Sequence, residues 1–166
     1  MTYVAYANSV FQFVFDRPEA WSVEEPDDAY PYIVSARGPK GENGLYTRIA
    51  LQIYRGGVVE GPPERQFSNI DDFTSDWILG LRANRVEDTV EIETEVAGLR
   101  ASRLSYSGML PRELAPGAPP FTLRRDVVIF QKGSDVYVLD YLAEETLYFE
   151  YVGALHRALD TFRFTY

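Results

Sequence analysis

The single histidine, His156, lies in "DYLAEETLYFEYVGALHRALDTFRF", residues 140–164, among five carboxylates. Imidazole beside carboxylates is the raw material of general acid–base catalysis, but a working base also needs a nucleophile and an orienting partner within hydrogen-bond reach. Tyr148, Tyr151, Val152, Leu155, Leu159 and Phe162 recur at helical spacing through the same stretch, and His156 falls at the border of that stripe. The spacing predicts a helix over about 144–160 that docks on a sheet, with Glu144 and Glu145 at its positive end and Asp160 one turn from His156 as a surface partner. The chemistry read here is packing.

Other carboxylates gather by spacing. Glu91, Glu93 and Glu95 project from one side of an alternating run at about 7 Å intervals. A hard cation asks for six or more convergent oxygens, so this row is expected to be a solvated face, with Arg100 answering Glu95 across a turn. Asp71, Asp72 and Asp76 lack the glycine and terminal glutamate of a calcium loop and are expected in solvent. "RGPKGENG" lacks the spacing of a phosphate-binding loop, "RGGVVEG" lacks a dinucleotide fingerprint, and no G-x-S-x-G elbow occurs. Cysteine is absent, which removes disulfides and thiolate chemistry. No pair among the 25 acidic residues stands out as a glycosidase pair, so catalytic, cofactor and metal residues are all expected to be none.

At 166 residues the chain suits one core-bearing domain, read as an extension over residues 1–9 followed by a single domain over 10–166. An apolar fraction of 46% excludes wholesale disorder. A net charge of −9 argues against nonspecific nucleic-acid binding and against adhesion to anionic membranes. With no membrane-length apolar run and no signal-peptide pattern in "MTYVAYANSVFQF", no membrane insertion is expected, and a cytoplasmic location is the default.

The elements follow from periodicity. "VFQFVF" (10–15), "YPYIVSA" (30–36) and "LYTRIALQIYR" (45–55) read as strands, the last placing Leu45, Thr47, Ile49, Leu51 and Ile53 on one face. Ile70, Phe73, Trp77 and Leu81 mark a helix over about 69–84, capped by Asn69 or Ser68. In "TVEIETEV", Val90, Ile92, Thr94 and Val96 face one way, and Gly98 turns the chain into the strand that begins at Leu99. "FTLRRDVVIFQ" and "DVYVLDYLA" flank "KGS" as a hairpin whose nearly continuous apolar runs suit central strands covered on both faces.

Two regions could recognise a partner. Tyr46 and Tyr54 lie opposite the Leu45 face, where they could form a recognition surface or pack under a helix. "MLPRELAPGAPP" (109–120) is a long proline-rich connection carrying Arg112 and Glu113, followed by Arg124 and Arg125. It reads either as a contact loop or as a tolerated insertion.

"FVFDRPEAW", "EVAGLRASRL" and "VVIFQKGSDVYVLDYLA" with "TFRF", in this order, resemble the Mog1/PsbP-like superfamily over about residues 10–164. The resemblance implies an α+β fold: an α/β/α sandwich whose mainly antiparallel, twisted sheet of about six strands is flanked by helices. It further implies a non-enzymatic accessory or binding role through a protein partner. Possible contacts are Arg112, Glu113, Arg124, Arg125, Tyr46 and Tyr54. A small-ligand carrier with an apolar pocket between sheet and helix, or a purely structural domain, is the alternative.

Overall fold

The computed structural model describes residues 1–25, 30–86, 88–110 and 120–166, with Leu110 described by its backbone only. Twelve strands and two α-helices follow one another: β1 (Tyr3–Asn8), β2 (Phe13–Pro18), β3 (Ser22–Glu24), β4 (Tyr32–Lys40), β5 (Tyr46–Tyr54), β6 (Val58–Val59), β7 (Arg65–Gln66), α1 (Ile70–Ala83), β8 (Val90–Val96), β9 (Leu99–Leu110), β10 (Phe121–Lys132), β11 (Asp135–Glu144), α2 (Glu145–Thr161) and β12 (Arg163–Phe164).

The main sheet has seven strands in the order β3-β4-β5-β11-β10-β9-β8, and every described pairing is antiparallel. The β10–β11 hairpin lies at its centre, joined through Gly133 with φ of 61°. Val127 to Phe130 and Val136, Val138, Leu139 and Tyr141 are all sealed from solvent, as the continuous apolar runs predict. The expected alternation on β5 also holds: Thr47, Ile49, Leu51 and Ile53 are buried on one face.

Each face of the sheet carries one helix. On the first, α2 and a second sheet, β1-β2-β12, close over Ile49, Leu51, Phe130, Tyr137, Leu139 and Tyr141. Phe162, just past α2, stacks on Phe13 and Phe15 and meets Phe130 edge-on at 5.1 Å. On the second, α1 covers Leu104, Tyr106, Val127, Ile129, Val136 and Val138. Asn69 caps α1, its Oδ1 accepting from the Asp72 N–H at 2.9 Å. Trp21 of "FVFDRPEAW" is buried so tightly against Gly38 that an added Cβ there would strike the indole. Arg17 fixes the approach to it by donating to the carbonyls of Pro18 and Trp21.

Several expectations need correction. Residues 1–9, read as an extension, contain β1, whose residues 3–8 pair with β2; the first strand of the domain core is 13–18 rather than 10–15. Of the stripe that marks α1, Ile70 and Phe73 are buried against the sheet, whereas Trp77 and Leu81 are only half-buried. On β8 the alternation seals only Val96, which joins the α2-side core, while Val90 and Ile92 are 61% and 51% exposed on the sheet's edge strand. Arg100 lies opposite Glu95 in register but pairs with Asp71 of α1 instead, through two bonds of 3.0 and 2.8 Å. Asp76 likewise pairs with Arg65. His156 is exposed, and no ion pair to Asp160 occurs among the described residues.

Candidate functional site

Antiparallel register determines which side chains share a face. β9 places Arg103, Ser105, Ser107 and Met109 on the α2 side. β8 adds Val90 opposite Ser105 and Ile92 opposite Arg103, and β10 adds Arg124 and Asp126. α2 and the small sheet cover this face as far as Val96 of β8 and Ala101 of β9 and leave the Val90–Ile92 stretch of the edge strand open. Four apolar side chains stand exposed around the opening: Val90, Ile92, Met109 at 66% and Phe149 of α2 at 72%. A shallow depression of about 380 Å³ runs between Arg85, Val90, Ser105, Ser107 and Arg124.

Arg124 sits at the inner edge of this opening, its guanidinium 4.3 Å from the Tyr148 ring centre and 5.0 Å from that of Phe149. It takes part in no salt bridge among the described residues. Below it, Asp126 is fully buried and accepts from Arg103 at 3.1 Å, from the Ser105 hydroxyl and from the Tyr148 hydroxyl. Burial, reinforced by the bond to Asp126, pushes the Tyr148 hydroxyl up to about 12. With every nearby donor engaged, Asp126 fixes Arg103 and α2 rather than offering a free base. The open end of the sheet is therefore a half-apolar surface with two cations, Arg85 and Arg124, that take part in no salt bridge among the described residues.

The other predicted contact residues do not join it. Arg125, the neighbour of Arg124, points to the opposite face, where it grips the fully buried Asp140 with bonds of 2.7 and 2.5 Å. Tyr54 is buried on that same side, its hydroxyl donating to Gln52 at 2.8 Å, whereas Tyr46 is exposed beneath Arg37 and Lys40. Arg112 and Glu113, with most of the 109–120 connection, lie outside the described residues. Sequence reasoning missed Val90, Ile92, Met109 and Phe149. Their shared exposure follows from strand order, and the only local hint is Phe149 standing outside the α2 stripe. No group of three or more metal-ligating residues forms a metal site among the described residues.

No protein-family model and no curated protein sequence matches the chain. Solved structures do. Cyanobacterial PsbP (CyanoP) from Synechocystis sp. PCC 6803 aligns with a TM-score of 0.62 at 10% identity, over 98% of this chain and 92% of that one. LpqN of Mycobacterium tuberculosis, described as involved in cell envelope biogenesis, aligns at 0.57 and 12% identity over 99% and 91%. The Saccharomyces cerevisiae Ran-binding protein Mog1p aligns at 0.53 and 11% identity over 99% and 96%. The chain has the Mog1/PsbP-like fold, as the resemblance implied.

Proposed function

From that fold and its open sheet end, we propose that the protein is a non-enzymatic binding or accessory protein that engages a protein partner at the β8–β9 end of the α2 face. The observation that carries this reading is the exposure of Val90, Ile92, Met109 and Phe149 along one open edge of the sheet, with Phe149 5.0 Å from the Arg124 guanidinium. Apolar anchors next to a desolvatable guanidinium are what interface centres use. The partner should present an apolar side chain to Phe149 and Ile92 and a carboxylate to Arg124. That one solved neighbour is named as a Ran-binding protein supports protein binding by this fold, while the fold itself transfers no particular partner. The 109–120 connection starts from the sheet beside Met109, and we include Arg112 and Glu113 in the proposed contact.

The test compares capture of the native partner by immobilised parent protein, by an R124E/F149A double variant and by Tyr46→Ala on the other face. Tyr46 and Phe149 are exposed, but Arg124 is half-buried over the Tyr148 ring. Tyr46→Ala should therefore melt as the parent does and the double variant somewhat lower, still folded at the temperature of the binding assay. The double variant should weaken binding of the purified partner by at least about tenfold, the effect of losing a modest hot spot, while Tyr46→Ala binds as the parent does. Equal binding by the double variant would remove this surface from consideration.

A further inference from the structure

The α1 face holds a second feature that the protein-contact reading does not use. Between α1 and the sheet opens a cleft of about 280 Å³, walled by Tyr54, Phe73, Trp77, Leu81, Tyr106 and Arg125. That space, open to solvent on one side, is large enough to admit a single-ring organic acid. Its walls are aromatic: Tyr54 meets Phe73 edge-on at 5.1 Å, and Trp77 stacks over Phe73 at 6.2 Å.

Its inner end is polar and incomplete. Tyr106 is only 8% exposed, and its buried hydroxyl, near Trp77 and Arg125, makes no well-aligned hydrogen bond among the described residues. A group left in that state costs about 1–3 kcal/mol and calls for an explanation. Beside it, Arg125 spends Nε and Nη2 on Asp140 and lies within hydrogen-bonding influence of the Tyr106 hydroxyl, as does Trp77. Asp140 also takes Arg48 at 3.5 Å, and the buried Nε of Arg48 is unpartnered as well. Arg125 is the closer partner of this fully buried carboxylate, whereas Arg48 is 38% exposed and lies outside the cleft lining. Arg65 and Asp76 at the cleft wall neutralise each other. Burial raises the hydroxyls of Tyr54 and Tyr106 above their usual range, so both keep their protons at neutral pH.

We propose that this cleft binds a small, flat, apolar molecule carrying a single carboxylate, its ring lodged against Phe73, Trp77 and Tyr54 and its carboxylate held by Arg125 and the Tyr106 hydroxyl. A single carboxylate suits one guanidinium and one hydroxyl, whereas a second negative charge would find no free partner in the cleft lining. Aromatic walls with a few convergent polar groups are the general anatomy of small-molecule sites.

Phenylacetate and its neutral counterpart 2-phenylethanol test this on the full chain, followed by tryptophan fluorescence and calorimetry. Phenylacetate should bind saturably with Kd below about 1 mM, and 2-phenylethanol at least about tenfold more weakly. Tyr106→Phe removes an unsatisfied hydroxyl, so its melting temperature should equal or exceed the parent's while phenylacetate affinity drops by about tenfold. The proposal is overturned by no saturation up to about 10 mM phenylacetate, by equal affinity for the alcohol, or by a Tyr106→Phe protein that binds undiminished or melts well below the parent. None of these outcomes bears on Phe149 and Arg124, which lie on the opposite face.

Discussion

The two faces of one sheet are finished in different ways. On the α2 face, Ala154, Leu155 and Ala158 are sealed from solvent, and aromatic rings from the helix end, the small sheet and the main sheet stack together. On the α1 face the helix buries Ile70, Phe73 and Thr74, while Trp77, Ile78 and Leu81 stay partly exposed and a cleft remains beneath them. Small residues on α2 let that helix approach the sheet closely, and a second sheet closes what remains. α1 has neither advantage. One face is built for stability, and the other tolerates empty space.

The broadest way to probe this contrast attacks both faces at once. Burial pushes Tyr137 of the α2 side and Tyr54 of the α1 side up to about 12, and Tyr148 rises to about 12 by burial and its bond to Asp126. A folded pKa above the unfolded value of about 10 gives stability that is full below pH 10 and lost as pH climbs through about 12. The urea midpoint should therefore fall steeply over that window, with most tyrosinate absorbance appearing together with unfolding. A midpoint that stays constant to about pH 12 would deny the burial of these rings.

Substitution separates the faces. Phe162→Ala removes a ring that contacts both sheets and should cost about 3–5 kcal/mol. Trp77→Ala removes a half-buried ring at the cleft and should cost about half as much, roughly 1.5–2.5 kcal/mol. Urea melts of the two variants decide the matter: a Trp77 variant as damaged as the Phe162 variant would show that the α1 face is the tighter core. The smallest effect lies at the edge, where Ala97 and Gly98 join β8 to β9 with φ of 51° and 77°. Left-handed backbone strains alanine, so Ala97→Gly should raise stability by about 0.5–1 kcal/mol, read as a shift of the melting temperature, without touching either core.

Legibility from sequence divides along similar lines. α1 with its Asn69 cap, the β10–β11 hairpin and the buried face of β5 were readable because each signal is local: a period of 3.6 or 2, a cap, a glycine turn. β1 was not, since "YVAYAN" carries no clean alternation and becomes a strand by pairing with β2. The short β3, β6, β7 and β12 likewise exist only through their partners. Of the six expected contact residues, Arg124 alone stands at the proposed interface among those described, and the adjacent Arg125 serves the other face.

The amino-acid order by itself determined that α2 is a docking helix, that the central strands are covered on both sides, and that Arg124 and Arg125 must face opposite ways. These follow from the geometry of a single helix or strand. Only the tertiary structure decided that Val90 and Ile92 would face solvent, that Arg100 would leave Glu95 for Asp71, and that a cleft would open beneath Trp77. Strand order and helix placement arise from contacts between residues distant in sequence, and no local period encodes which end of a sheet a helix leaves bare.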